Sequence, residues 1–110
     1  MRKKTFQHYE MPSSVVNIVI AHCADFSRRD KTIALNAAPT EVLQIYRELN
    51  QVIDNALEDI EIGLRKIIIS DITENRGYYK SGAQIVISKN AYYRRRRKLI
   101  HDVAVGMRLI

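Results

Sequence analysis

The chain has 110 residues, 46% of them hydrophobic, and its 18 Lys and Arg against 12 Asp and Glu give a formal net charge of +6. This length suits a single domain, and the apolar fraction is typical of a chain that folds. The longest apolar runs are far shorter than the roughly 20 residues that span a bilayer, so we expect no membrane partner. No hydrophobic signal region follows the basic N-terminus, and one cysteine cannot form an internal disulfide, so we expect a cytoplasmic protein.

The charge is distributed unevenly along the chain. Residues 1–40 hold six basic and three acidic residues, residues 41–74 hold three basic and eight acidic ones, and residues 75–110 hold nine basic and one acidic. We call the last two segments the acidic middle and the basic third. Charge that only kept the protein in solution would not need this segregation, whereas a face that binds a polyanion would.

The N-terminal part of the chain predicts an arm and a first helix. Residues 1–12 are expected to form a basic N-terminal arm, and Ser13 or Ser14 is expected to cap the helix that follows. Apolar residues continue through Phe26, which favours a helix, although the β-branched residues of this segment would also suit a strand. Residues 27–31 then either end this helix or form its solvated part.

The strongest periodicity of the chain lies in the acidic middle. Thr40 is a candidate N-cap, and over residues 42–67 apolar residues alternate steps of four and three, which predicts one amphipathic helix of at least 20 residues. The apolar stripe either packs on other helices of the same domain or forms the interface of a homodimer, as in a coiled coil. Gly63 is a candidate interruption of this helix; helix is then expected over residues 64–75 and to end with Gly77 in a left-handed C-cap.

Two capping signals lie close together in the basic third. Ser81 has the capping-box spacing to Gln84 and is expected to open a short helix. Ser88 is expected to open a final helix that runs from Lys89 towards Met107. A short helix, a tight turn and a second helix form a helix-turn-helix.

These elements together predict the fold. We expect an all-α protein, a small helical bundle with a C-terminal helix-turn-helix. The arm over residues 1–12 precedes a helical body over residues 13–77 and the helix-turn-helix over residues 78–110, all within one domain.

A helical wheel divides the final helix into two faces. The expected apolar face contains seven residues: Tyr92, Tyr93, Leu99, Ile100, Val103, Ala104 and Met107. The opposite face contains five polar residues, with Arg97 at the boundary: Arg94, Arg95, Lys98, His101 and Asp102. Arg96 falls within the apolar face, so its stem packs while its head reaches water, or it pairs with a carboxylate of the acidic middle, or it lies beyond the edge of the core.

The basic start of the final helix is the candidate binding site. In a helix-turn-helix the N-terminal residues of the second helix meet base edges in the major groove, where Asn reads adenine and Arg reads guanine. Tyrosine hydroxyls also contact phosphate. We therefore predict that eight residues bind double-stranded DNA: Ser88, Lys89, Asn90, Tyr93, Arg94, Arg95, Arg97 and Lys98. Four consecutive arginines are alternatively a solvated face or an RNA-binding or localisation patch.

A family resemblance enters at the same residues. The sequence ISKNAYYR over residues 87–94 resembles the start of the recognition helix in sigma-factor region 4-like domains. With the RRRRKLI and VAVGMRLI stretches, the basic third is similar to small phage transcriptional activators of the RinA and ArpU type. It departs from their pattern at Ala91, where they have Thr, at Val86, where the turn often has Gly, and in its C-terminal tail. The resemblance implies a phage or prophage protein in a bacterial cell, regulating late genes by binding promoter DNA.

No pattern of catalysis or metal binding accompanies this site. The three histidines and Cys23 lack a spacing suited to zinc, and there is no glycine-rich phosphate loop. Five carboxylates are expected on a solvated helix face: Glu58, Asp59, Glu61, Asp71 and Glu74. We therefore expect a protein that is not an enzyme and needs no cofactor and no metal.

Two other functions remain open. A phage DNA-packaging component, such as a small terminase subunit, also uses a helix-turn-helix and a helical oligomerisation segment. A protein-interaction module would instead use the acidic middle helix to bind a basic partner, such as a surface of RNA polymerase.

Overall fold

The computed structural model describes residues 11–110, apart from the side chain of Ile85. The described chain forms five α-helices and two short 3₁₀ helices, and no strand. The α-helices are α1 (Ser13–Ala24), α2 (Phe26–Ala34), α3 (Thr40–Leu57), α4 (Ile62–Thr73) and α5 (Lys89–Gly106), and the 3₁₀ helices are Tyr78–Lys80 and Gly82–Ile85. The predicted all-α fold is confirmed, and within residues 11–110 no helix is long and apolar enough to cross a membrane. The predicted arm lies outside the described residues, except for Met11 and Pro12.

One hydrophobic core joins four of the helices. α5 packs against α1 and α3, α1 also packs against α4, and α2 covers another side of α3. Each of the four helices contributes buried apolar side chains: Val19 and Cys23 from α1, Ile53 and Ala56 from α3, Leu64, Ile68 and Ile72 from α4, and Tyr92, Leu99 and Val103 from α5. The C-terminal helix therefore belongs to the same core as the helices before it.

The single long helix predicted over residues 42–67 is wrong. The structure has two helices there, because the chain leaves α3 after Leu57 and enters α4 at Ile62. The apolar period continues through the break because Ile60, in the connection, is only 3% exposed and packs into the core. The second half of the stripe on α3 faces the protein's own core, with Ile53 and Ala56 buried, which favours packing within the domain over a homodimer interface along that part of the stripe.

The capping residues expected at the first and third helices are also wrong. Ser13 and Thr40 are the first helical residues, and the prolines before them, Pro12 and Pro39, occupy the N-cap positions. The proline ring fixes φ near the value of an extended N-cap residue, so the helix begins at the following residue. Neither cap makes a side-chain hydrogen bond.

Asparagine, not glycine, ends α4. Gly77 has a φ of −92°, so the predicted left-handed glycine C-cap is wrong. Asn75 takes the left-handed conformation instead, with a φ of 57°, and the Arg76 amide donates to the Asp71 carbonyl oxygen at 2.8 Å. This is the closing bond of a Schellman motif, and asparagine is the side-chain-bearing residue that best tolerates that conformation.

The segment before α5 contains less helix than predicted. Both serine caps form, because the Ser81 hydroxyl accepts from the Ala83 amide and the Ser88 hydroxyl accepts from the Ala91 amide. The element that Ser81 opens is a 3₁₀ helix of four residues, not an α-helix. An α-helix, α5, therefore forms where the second helix was predicted, but a 3₁₀ turn stands in place of the first, so the structure does not confirm a helix-turn-helix.

Candidate nucleic-acid interface

α5 has one buried and one accessible face along its whole length. Tyr92, Leu99, Val103 and Ala104 are at most 1% exposed and Ile100 is 9% exposed, which confirms five of the seven residues of the predicted apolar face; Tyr93 and Met107 are half-buried beside them. The Ser88 cap fixes the first turn by its 3.3 Å hydrogen bond from the Ala91 amide. The helix therefore presents its basic start from a rigid support.

Four of the predicted DNA-binding residues are exposed at this start: Ser88, which caps the helix, and Lys89, Asn90 and Arg94. Asn90 and Arg94 are one turn apart, so they share a face of the helix. Within residues 11–110 neither of their side chains makes a hydrogen bond or an ion pair. The helix N-terminus adds its own partial positive charge here, which favours an anionic partner.

Two other predicted DNA-binding cations are held by carboxylates of the acidic middle. Arg95 donates from Nε and Nη2 to the two carboxylate oxygens of Glu61, at 2.8 and 2.7 Å. Lys98 Nζ donates to Asp59 at 2.8 Å and to Asp102 at 2.7 Å. The hydrogen bond from Arg95 lowers the pKa of Glu61, and the hydrogen bond from Lys98 lowers the pKa of Asp59. Part of the segregated charge is therefore neutralised within the fold.

The remaining predicted residues mainly make hydrogen bonds that hold the start of α5 in place, and they expose little charge to solvent. The Tyr93 hydroxyl accepts a hydrogen bond from the Tyr78 amide at 3.0 Å, and the Tyr78 hydroxyl donates to the Ile87 carbonyl oxygen at 2.8 Å. These two bonds fasten the segment before α5 to the helix itself. Ser88 acts as the N-cap, and Arg97 is half-buried.

Arg96 has polar partners at the edge of the core. Its Nη1 donates to the Tyr92 hydroxyl at 2.9 Å and to the backbone carbonyl oxygen of Arg76, and its guanidinium lies 5.9 Å from the Tyr92 ring centre. The side chain is half-buried. Arg96 therefore reaches the acidic middle only through Tyr92, whose hydroxyl donates to Asp71 at 2.6 Å.

Asp71 is a buried anchor between α4 and α5. It is 1% exposed, so its predicted place on a solvated helix face is wrong. Besides the Tyr92 hydroxyl it accepts from Arg76 Nε at 3.1 Å. Burial, together with the hydrogen bond to Asp71, raises the pKa of Tyr92 to about 12, so its hydroxyl keeps its proton. This contact fixes the first turns of α5 against the body.

Sequence reasoning missed two residues beside the exposed start of α5. Tyr79 is 70% exposed, and Lys89 Nζ lies 4.9 Å from the centre of its ring. Lys80, the next residue, is also exposed. The adjacent pair Tyr79 and Lys80 was the only sequence signal for this extension of the basic surface; the fold exposes the ring and brings Lys89 to it.

Neither a metal site within residues 11–110 nor a known relative accompanies this surface. Among the described residues no group of three or more His, Cys, Asp or Glu side chains could hold a metal ion. Comparison with protein-family models, curated proteins and solved structures finds no match to this chain.

Proposed function

We propose that the protein is a sequence-specific DNA-binding transcriptional regulator of phage or prophage origin, and that the start of α5 enters the major groove of double-stranded DNA. The single observation that carries the DNA-binding part is the exposure of Lys89, Asn90 and Arg94 on the first turns of a capped helix with a buried opposite face. The regulatory role and the phage origin rest on the sequence resemblance of the basic third. The 3₁₀ turn over Gly82–Ile85 would stand as the reduced first element of the helix-turn-helix.

Each exposed residue has a chemical role in this proposal. Arg94 donates a bidentate pair of hydrogen bonds to guanine, and Asn90 pairs with adenine. Lys89 and Lys80 contact phosphates on either side and set the position of the helix on the duplex. Arg95 and Lys98 contribute only when they leave their carboxylate partners.

The interaction-module alternative loses part of its surface in this structure. Asp59 and Glu61 belong to the acidic middle, and both are engaged by cations of α5. These two carboxylates are therefore already satisfied before any basic partner arrives.

The test compares DNA binding by two variants, each of which loses one positive charge, one inside and one outside the proposed site. The DNA site is first selected from a random pool, and affinity is then measured by fluorescence anisotropy. Arg94→Ala removes a base contact and is expected to cost about 1–3 kcal/mol, or roughly 5- to 150-fold in affinity. Arg47→Ala is the control, because Arg47 is also exposed but lies on α3. Wild-type affinity in Arg94→Ala would refute the proposed site.

The salt dependence of binding gives a second readout. With Lys89 and Lys80 as the two phosphate contacts, the log–log slope of affinity against salt concentration is expected to be about −2, because each contact contributes about −0.9. Affinity that does not change with salt would refute binding to the DNA backbone, whatever the variants show.

A further inference from the structure

The end of α5 opposite the basic start carries an apolar surface with no partner among the described residues. α3 runs alongside α5 in the opposite direction, since Asp59 contacts Lys98 while Val52 packs at Gly106. The contact at Gly106 is close: a Cβ placed there would lie 2.6 Å from Val52 Cγ1. The two helices are therefore closely packed at this point, and their contact forms the floor of the surface described next.

Two adjoining grooves lie on this floor and share Val52 and Gly106. One is lined by Ile45, Glu48, Leu49, Val52, Gly106, Met107 and Arg108. The other is lined by Val52, Asn55, Ala56, Asp102, Val105 and Gly106. Ile45 is 53% exposed and Val105 is 48% exposed. Single exposed aliphatic residues are ordinary, but these two lie on one continuous apolar groove system.

We infer that this α3–α5 surface binds a second copy of the chain. Glu48 and Arg108 line the same groove, are both exposed and carry opposite charges. In a two-fold symmetric contact each patch meets itself, so Glu48 of one copy faces Arg108 of the other and the apolar centres pack together. The patch thus carries charges of both signs, which a symmetric homodimer can pair across its two-fold axis.

The position of the surface also suits two-site DNA binding, an argument that rests on the proposed function. Arg94 precedes Val105 by eleven residues, which is about 16 Å along the helix at ~1.5 Å per residue. A two-fold axis near Val105 separates the two copies of Arg94 by up to about 33 Å, which is comparable to one turn of B-DNA. The homodimer would therefore present two basic helix starts to successive major grooves.

The first test is the mass in solution of the full chain, measured by light scattering on a size-exclusion column at tens of micromolar. The wild-type protein is expected at twice its 12.7 kDa chain mass. Val105→Glu is expected to be monomeric with an unchanged circular dichroism spectrum. The control is Ile62→Glu, because Ile62 is 81% exposed at the start of α4 and should leave the dimer intact. A monomeric wild-type protein, or a folded Val105→Glu dimer, would overturn the inference.

A charge exchange tests the pairing itself. Glu48→Arg and Arg108→Glu each place like charges opposite one another, so each single variant is expected to weaken dimerisation. The double variant restores opposite charges and should recover the dimer. Single variants that dimerise as the wild type does, or a double variant no stronger than the singles, would overturn this arrangement.

DNA binding separates this inference from the proposed function. Monomeric Val105→Glu is expected to keep wild-type affinity for a single half-site and to lose cooperative binding to two half-sites. A dimer that binds no DNA would refute the proposed function and leave the dimer surface standing. A monomeric wild-type protein that binds DNA would refute the dimer surface and leave the proposed function standing.

Discussion

Arg95 and Glu61 join the basic run of α5 to the residue that precedes α4, through two hydrogen bonds of 2.8 and 2.7 Å to one carboxylate. Lys98 and Asp59 make a second such contact from the same connection. The acidic middle therefore lies against the basic third, and ion pairs within the molecule neutralise part of the opposite charges of these two segments. Availability of a cation to DNA then depends on its intramolecular partner.

Removal of the Glu61 charge should strengthen DNA binding. In Glu61→Gln the Arg95 guanidinium no longer has a carboxylate that competes with phosphate, so affinity is expected to rise several-fold and the salt slope to steepen by about one contact. Anisotropy titrations at several salt concentrations measure both quantities. Glu58→Gln changes the same charge in the same connection, and the Glu58 side chain pairs with no cation in the described chain, so its slope should stay unchanged. Equal slopes for Glu61→Gln and the wild type would contradict the prediction.

Loss of the Tyr92 hydroxyl should destabilise the fold. Tyr92→Phe removes the 2.6 Å hydrogen bond to the buried Asp71 carboxylate, and an unsatisfied buried acceptor costs about 1–3 kcal/mol. Urea unfolding followed by circular dichroism measures the change in the free energy of unfolding. Tyr79→Phe is the matched control, because that ring is 70% exposed and its change should stay within about 0.5 kcal/mol. Similar losses in the two variants would argue against the anchor.

Protonation of His22 at acidic pH should lower the free energy of unfolding. The ring is 7% exposed, its Nε2 lies 3.1 Å from the Leu49 carbonyl oxygen, and burial, with the charge of Arg29, lowers its pKa below 6.5. The folded state therefore binds this proton less readily than the unfolded state, so the contribution to stability is complete above about pH 6.5 and is lost as the pH falls below it. Carboxylates with lowered pKa values, such as Glu61, lose their contribution only at still lower pH.

The measurement compares the free energy of unfolding of the wild-type protein with that of His22→Gln between about pH 7 and pH 5. Glutamine keeps an N–H donor for the Leu49 carbonyl oxygen but does not titrate. The difference between the two proteins should shrink as the pH falls. A difference that stays constant across this range would show that His22 does not carry the pH dependence.

Much of the helical structure follows from signals that can be followed along the chain. The apolar period predicts α3, and the Ser88 cap together with the wheel predicts the start of α5 and its buried face. The break after Leu57 is not predicted because Ile60, which lies in the connection, is buried at the position where a continuous helix would also place a buried residue. The apolar spacing is therefore the same with and without the break. The end of α4 is not predicted because either Asn75 or Gly77 can adopt a left-handed conformation, and local sequence does not choose between them.

Capping and periodicity act between near neighbours, so the residues of the basic third are enough to predict a capped, amphipathic, arginine-rich helix there. Which cations of this helix remain accessible depends instead on tertiary contacts: Arg94 stays exposed, Arg95 lies against Glu61, and Arg96 turns to Tyr92. The fold sets these contacts. It also placed Arg29, one residue of a polar run, at 3% exposure, hydrogen-bonded to Asn50 on another helix. Charge pairing and burial depend on which distant elements meet, and that contact is settled by packing of the core.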